Sequence, residues 1–236
     1  MQNNNETKKA IYLFGTSKEE ASKVLGQLSY DAADTKITVS EKDHIVDITV
    51  TASNGDAAEK LHEQIRCSPL GAHIADEGVK TLKEAVVHFL KKHRLTLSLA
   101  ESCSGGMCAS KIVDVSGASD IFLGSVVSYA DSAKMNLLGV DSHTLKRYGA
   151  VSEQTAKEMA QGAKARFGSD IAVSVTGIAG PGGGSIDKPV GTVCFGCSDR
   201  AGTTAVKIVF DDLGRDYIRA KSVEFMLHTI LIHSCF

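Results

Sequence analysis

The stretch LTLSLAESCSGG, residues 95–106, decides the fold of the larger part of this chain. Residues 95–100 predict a strand, the next six residues end it, and a helix is expected to begin there. Further along, strand and helix patterns alternate up to a final helix at about 213–232, which predicts an α/β fold, a layered sheet with helices on both faces. The remaining strands are predicted at 124–129, 170–176, 190–197 and 203–210, with helices at 131–138 and 152–167.

A shorter pattern of strands and helices precedes the α/β part of the chain. Residues 10–77 predict a compact α+β unit of order βαββα, and its first helix opens with the capping box formed by Ser17 and Glu20. A second capping box, at Thr81 and Glu84, precedes a helix with one apolar face. The sequence therefore predicts a small α+β domain at residues 1–78, followed by the larger domain at 79–236.

Composition and charge restrict the class of protein. The chain is 43% hydrophobic and 23% charged, as in ordinary globular proteins, and no apolar run approaches the roughly 18 residues that cross a bilayer. The polar start, residues 1–9, lacks a signal-peptide core, so we expect a cytoplasmic protein without membrane contact. Residues 1–79 carry 13 acidic and 8 basic side chains, and this acidic balance argues against nucleic-acid binding there.

Six cysteines are scattered along the chain, and reduced thiols are expected. Cys194 and Cys197 form a CxxC pair, which is also found in zinc and redox sites. Residues three apart on a predicted strand point to opposite faces, so packed thiols are favoured over shared ligation. The eight histidines show no metal spacing, and the sequence predicts neither a metal nor another cofactor.

The strand-to-helix turn after residue 100 is the first candidate site. Free N–H groups at a helix start bind anions or oxyanions, and glycines let a ligand approach the backbone closely. Ser102 would stand at the rim of the sheet, where ligands bind in open α/β folds. The alternative is that Ser102 and Ser104 only cap the helix.

Three other segments carry candidate chemistry. Lys134 follows the strand that ends at Tyr129, and both could overhang the same edge; a lysine serves as a base only when burial lowers its pKa. The turn TGIAGPGGGS, residues 176–185, can present N–H groups to an anion or be a flexible connection. Arg215 and Arg219 lie four apart on the last helix and could hold a phosphate, although surface arginines are common. The residues alone thus predict a small-anion site with Ser102 and Lys134 as a candidate nucleophile pair.

These segments resemble the CinA C-terminal family, the nicotinamide mononucleotide amidohydrolases, over residues 80–233. AESCSGG at 100–106 is similar to the family's AESCTGG, GAVS at 149–152 matches, and TGIAGPGGG at 176–184 with KPVGTV at 188–193 resembles the family's pattern. Residues 10–77 resemble the KH-like middle domain of CinA proteins, though a clear GxxG loop for RNA is absent from them.

The resemblance implies a deamidase of pyridine-nucleotide salvage that needs no metal and acts as a homo-oligomer, with a dimer expected. It implies that Ser102 is the nucleophile, Lys134 its base, and Tyr129 a hydrogen-bonding neighbour. The N–H groups of Gly105 and Gly106 are expected as oxyanion donors, each worth about 3–4 kcal/mol. The remaining residues expected to hold the substrate are Ser104, Thr176, Gly177, Arg215 and Arg219.

Two positions differ from the family's pattern, and two rival functions stay open. Asp131 stands where the family has asparagine, and Ser104 keeps the hydroxyl of the usual threonine. One rival is a regulatory, nucleotide-binding protein that kept the fold without turnover. The other is an amidase for a different small amide.

Overall fold

The computed structural model describes residues 6–42, 44–75 and 78–233. The chain divides into two compact units, Met1–Ala85 and Val86–Phe236. The division falls inside one helix, α3 (Leu82–His93). The domain boundary expected between residues 78 and 79 stays a prediction.

The small unit is a three-stranded antiparallel sheet with two helices, as the βαββα pattern predicts. The strands lie in the order β1-β3-β2. On β3, Val46, Ile48 and Val50 alternate inward, and they pack with Leu61 and Ile65 of the second helix. The elements are β1 (Thr7–Phe14), α1 (Lys18–Leu25), β2 (Thr35–Lys42), β3 (Ile45–Ala52) and α2 (Gly55–Cys67).

Helix α1 begins at the predicted capping box. The Glu20 N–H donates to Ser17 Oγ at 3.2 Å, and the Ser17 N–H donates to Glu20 Oε2 at 3.1 Å. The two hydrogen bonds satisfy donors that a helix start leaves without intrahelical partners. The Ser17 N–H, together with the hydroxyls of Thr16 and Ser17, also holds the pKa of the Glu20 carboxyl below its ordinary value.

The larger unit is built on a five-stranded sheet of order β5-β4-β6-β7-β8. The first three strands in this order run parallel, and β7 and β8 are antiparallel to their neighbours. The strands are β4 (Leu97–Glu101), β5 (Phe122–Val127), β6 (Ile171–Gly177), β7 (Thr192–Ser198) and β8 (Thr203–Val209).

Helices flank this sheet on both faces, which confirms the predicted layered α/β fold. Helix α7 comes so close that Ser174 of β6 donates to the Ala156 carbonyl, and a Cβ on Gly196 would lie 2.3 Å from the same oxygen. On the other face, the ring of Phe225 in α8 lies 4.4 Å from that of Phe195. The helices are α4 (Met107–Val113), α5 (Asp131–Leu138), α6 (Ser142–Tyr148), α7 (Glu153–Phe167) and α8 (Arg215–His233).

Helix α6 has no counterpart in the sequence prediction. It is seven residues long, has no fully buried side chain, and is capped by Asp141, whose carboxylate accepts from the His143 N–H at 2.8 Å. Such a helix lacks the apolar stripe by which helices are recognised in a sequence. Within the described residues, no helix has the length and apolar character that crossing a bilayer requires.

Candidate active site

The site lies where the carboxyl ends of three neighbouring parallel strands meet. The parallel pairing continues one residue past each strand, because the Ser102 N–H donates to the Val175 carbonyl at 3.1 Å and the Ser128 N–H to the Glu101 carbonyl at 2.8 Å. Ser102 and Ser128 are therefore held by the sheet itself rather than by loose loops.

Ser102 and Lys134, 32 positions apart in the sequence, meet at this edge. Lys134 Nζ lies 3.2 Å from Ser102 Oγ, and it donates to the carbonyl oxygens of Ser128 at 2.9 Å and Tyr129 at 3.2 Å. Ser102 is 7% exposed and Lys134 is 1% exposed. The structure thus places a buried amine against a buried hydroxyl, the geometry that nucleophilic catalysis by serine needs.

Burial lowers the pKa of Lys134 from its ordinary value, since the apolar surroundings disfavour the charged form. The carboxylate of Asp131, 3.9 Å from Nζ, acts in the opposite direction, as does Cys103. Burial also raises the pKa of the Cys103 thiol to about 11, so this neighbour of Ser102 is a neutral thiol near pH 7.

Tyr129 meets Lys134 through its main chain. The carbonyl makes the hydrogen bond, while the side chain is 65% exposed. The phenol makes no hydrogen bond to Ser102 or Lys134. The hydrogen bond expected of this tyrosine is therefore one that any residue could make.

Glu101, which was not expected from the sequence, organises the turn after β4 through its carboxylate. It accepts hydrogen bonds from the Ser104 hydroxyl at 2.7 Å, the Gly106 N–H at 2.9 Å and the Cys108 N–H at 3.1 Å. The Ala109 N–H and, at 3.4 Å, a serine hydroxyl of β5 donate to its other oxygen. A carboxylate at the end of a strand and just before a helix start is the signal that could have revealed it.

This arrangement corrects the expected role of the two glycines and of Ser104. The Gly106 N–H donates to Glu101, and the Gly105 N–H donates to the Ser102 carbonyl at 3.2 Å, so neither is free to bind an oxyanion. The Ser104 hydroxyl donates to Glu101 and is fully buried. What the glycines supply is conformation: their φ angles of 65° and 94° are left-handed, which favours glycine.

The N–H groups of Cys103 and Ser104 have different surroundings. Among the described residues, neither donates to an oxygen atom; both act to lower the pKa of the Cys103 thiol, against the larger effect of burial. A thiol is a weak acceptor, so these two N–H groups remain available to a stronger acceptor.

The two arginines of α8 reach different turns. Arg219 donates through Nε to the Cys103 carbonyl at 3.2 Å and through Nη2 to the Ser104 carbonyl at 3.0 Å. Arg215 is exposed and donates from Nη1 to the Gly180 carbonyl at 3.0 Å. One guanidinium therefore holds the turn after β4 and the other holds the glycine-rich turn, although a guanidinium retains further donors for a ligand.

Thr176, which is buried, and Gly177, which is half-buried, are parts of the support around the site. The Thr176 hydroxyl donates to the Ala150 carbonyl at 2.8 Å, and a Cβ on Gly177 would come within 2.7 Å of Val193. Lys188, another residue missed at first, donates to the carbonyls of Tyr148 and Val151, at 2.7 Å each. Thr176 and Lys188 together fix the loop at residues 148–151 beside β6.

The CxxC pair has the predicted geometry. In the ladder, Cys194 is opposite Thr176 and Cys197 is opposite Val173, so the two side chains point to opposite faces of the sheet. Both thiols are buried, and burial raises their pKa values to about 11 and about 12.

Comparison with known proteins shows the family of this chain. Residues 79–233 match the family described as CinA C-terminal domain. A CinA-like protein of Kosmotoga olearia is 44% identical over 191 residues, which is 79% of this chain and 46% of the relative. A CinA-like protein of Pseudothermotoga lettingae is 37% identical over 224 residues, 94% of this chain and 55% of the relative. The chain thus spans about half the length of the curated relatives it matches.

Solved structures also match this chain. The competence/damage inducible protein CihA from Agrobacterium tumefaciens shares 40% identity with a TM-score of 0.62, over 64% of this chain and 92% of the other. A competence-damaged protein (CinA) superfamily member from Escherichia coli shares 33% identity with a TM-score of 0.61, over 65% and 90%.

Proposed function

The chain belongs to the CinA C-terminal domain family, and from this premise we propose that it hydrolyses the carboxamide of nicotinamide mononucleotide to nicotinic acid mononucleotide and ammonia. The observation that carries the proposal is the buried contact of 3.2 Å between Lys134 Nζ and Ser102 Oγ. A protein that only binds its ligand has no need of a buried amine held against a serine hydroxyl, whereas a serine nucleophile needs an adjacent base.

Lys134 acts as the base in its neutral form. A neutral amine has two hydrogens and one lone pair, and the carbonyls of Ser128 and Tyr129 accept the two hydrogens. The lone pair is then directed at Ser102, whose hydroxyl donates to it. The lowered pKa of Lys134 raises the fraction of chains in this state at neutral pH.

Ser102 Oγ attacks the carboxamide carbon as its proton passes to Lys134. The negative charge that forms on the carbonyl oxygen is stabilised by the N–H groups of Cys103 and Ser104, which have no oxygen acceptor among the described residues. Each such donor is worth about 3 kcal/mol. The proton held by Lys134 passes to the amide nitrogen as the C–N bond breaks, ammonia leaves, and an acyl-enzyme remains on Ser102. Water activated by the same lysine then releases the acid and restores the serine.

The phosphate of the substrate is recognised at the glycine-rich turn. Arg215 is exposed there, and its bond to the Gly180 carbonyl uses one of the five guanidinium hydrogens, so the others are available for phosphate oxygens. The arginine fork suits a phosphate because it forms two parallel hydrogen bonds.

The test is ammonia release from nicotinamide mononucleotide by the purified full chain without added metal. We expect turnover in the wild type and a fall of about 10³-fold or more (~4 kcal/mol) in both Ser102→Ala and Lys134→Ala. Lys157→Ala, which removes an exposed lysine of α7, is the matched control and should keep full activity.

Three results would count against the proposal. Unchanged activity in Ser102→Ala removes the nucleophile assignment. Binding of the mononucleotide without turnover supports the regulatory rival. Faster ammonia release from another small amide, with dependence on both residues, supports the rival amidase.

A further inference from the structure

Ser128 carries a buried hydroxyl that forms no hydrogen bond with any described residue. Its side chain is 0% exposed, and Oγ is among the few buried polar atoms that lack a partner. A buried hydroxyl without a partner costs about 1–3 kcal/mol, so such atoms are rare and call for an explanation. Two main-chain atoms of the same residue are paired, the N–H with Glu101 and the carbonyl with Lys134.

The sheet register places this hydroxyl beside Ser102. Glu101 is opposite Val127 on one side and Val175 on the other. The residues that follow, Ser128 and Ser102, are therefore neighbours on adjacent strands, about 4.8 Å apart in the hydrogen-bonding direction.

Both side chains also point to the same face. Val126 and Ala100, two positions earlier on their strands, pack in one buried cluster with Leu138 of α5. Side chains alternate along a strand, so Ser128 and Ser102 share this face. Lys134 comes from the same helix, α5, and its amine contacts both residues.

We propose that Ser128 is a further catalytic residue, which relays the proton from Lys134 to the nitrogen of the leaving group; this inference rests on the proposed function. After Ser102 has attacked, Lys134 is an ammonium. As the C–N bond breaks, the Ser128 hydroxyl gives its proton to the amide nitrogen, and Lys134 gives its proton to Ser128 Oγ. Ammonia departs with that proton, Lys134 is neutral again, and Ser128 is unchanged.

An unpaired hydroxyl suits this role because it has no bond to break. The Thr176 hydroxyl on β6 donates to the Ala150 carbonyl, and a transfer through it would cost that bond. Ser128 holds Lys134 through the main-chain carbonyl, which substitution of the side chain does not remove. The hydroxyl and the positioning of Lys134 are thus separable by mutation.

The experiment compares two substrates with the full chain. Nicotinamide mononucleotide has an amide leaving group, which must be protonated to depart, whereas the trifluoroethyl ester of nicotinic acid mononucleotide has a leaving group that needs little assistance. We expect Ser128→Ala to lower turnover of the amide by about 10²-fold or more and turnover of the ester by less than about threefold. Ser128→Thr, which keeps the hydroxyl, should recover most of the amide activity.

A stability measurement excludes a merely structural role. Ser128→Ala removes a hydroxyl that has no partner, so its melting temperature should stay the same or rise. The control is Ser98→Ala, at the other end of β4, which breaks a buried bond of 2.7 Å to Ser169 and should lower the melting temperature without a selective loss on the amide.

Each other outcome overturns the relay. Equal losses on amide and ester mean that the hydroxyl serves the nucleophile or the oxyanion, and no loss means that it takes no part. A wild-type chain that releases no ammonia refutes the proposed function and the relay with it. An active wild type with an unaffected Ser128→Ala refutes the relay alone.

Discussion

The substitution Asp131→Asn tests whether Lys134 is the base. The Asp131 carboxylate lies 3.9 Å from Lys134 Nζ and stabilises the ammonium. Asparagine removes that charge with almost no change of shape, so the pKa of Lys134 falls. A lower pKa leaves more of the amine neutral, and the acid limb of the pH profile of kcat/KM moves to lower pH.

The size of the shift follows from the distance and the exposure. Two unit charges about 4 Å apart attract by about 1 kcal/mol in water and by about 4 kcal/mol at an effective dielectric constant near 20. The side chain of Asp131 is 59% exposed, so the value for water is the better guide, and exposed pairs give about 0.2–1 kcal/mol. With RT of about 0.59 kcal/mol, the loss of this attraction changes the protonation equilibrium of Lys134 by about 1.4- to fivefold toward the neutral amine, and its pKa falls accordingly.

The assay is kcat/KM for ammonia release between about pH 6 and pH 10, at low and at high salt. Below the wild-type pKa, the Asp131→Asn variant should be the faster enzyme by up to about fivefold, and salt should reduce the difference because it screens an exposed charge. Asp56→Asn is the matched control, since it removes the same charge from an exposed site in the small unit. A profile that moves to higher pH, or one that moves equally in the control, would refute the assignment of Lys134.

Three further predictions address other parts of the chain. Glu101→Ala leaves buried N–H groups and the Ser104 hydroxyl without their acceptor, so the free energy of unfolding should fall by about 3 kcal/mol in a denaturant titration, and a loss below 1 kcal/mol would contradict the network. Arg215→Ala should lower kcat/KM about 10–100-fold for nicotinamide mononucleotide but hardly at all for nicotinamide riboside, which lacks the phosphate; equal losses would show that the arginine only holds its turn. Ser17→Ala should cost about 1 kcal/mol in unfolding of the small unit and leave ammonia release unchanged, as removal of a helix cap does.

Local patterns predicted most of the fold because the sequence signals agree with the packing. The capping box of Ser17 and Glu20 starts α1, and the alternation from Ile45 onward continues through β3. Helix α6 was missed because it has no fully buried side chain and therefore leaves no apolar period. The expected homodimer is a property of surfaces rather than of periodicity, and it stays a prediction.

The site was predicted less completely than the fold. Spacing alone left Ser102 and Lys134 as one candidate pair among several segments, since a contact across 32 positions depends on how the strands are ordered. The glycine N–H groups were wrongly expected to be free because a helix start was considered without the acid that precedes it, which binds Gly106, and without the tight turn that pairs Gly105 with Ser102. Ser128 passed unnoticed for a similar reason: whether a hydroxyl lacks a partner is visible only in three dimensions.

The order of residues at the end of β4 explains how a buried carboxylate and a buried lysine both lie at one edge of the sheet. Glu101 and Ser102 are adjacent, so the pleat directs them to opposite faces of the sheet: the carboxylate to the start of α4, and the hydroxyl to Lys134 of α5. The groups that act on the pKa of Lys134 are accordingly Asp131 and Cys103, and Glu101 is not among them. A glutamate displaced by one position would share the face of Lys134, where an ion pair would keep the amine protonated and unable to accept the serine proton. The sheet therefore separates the carboxylate that shapes the turn after β4 from the amine that contacts Ser102.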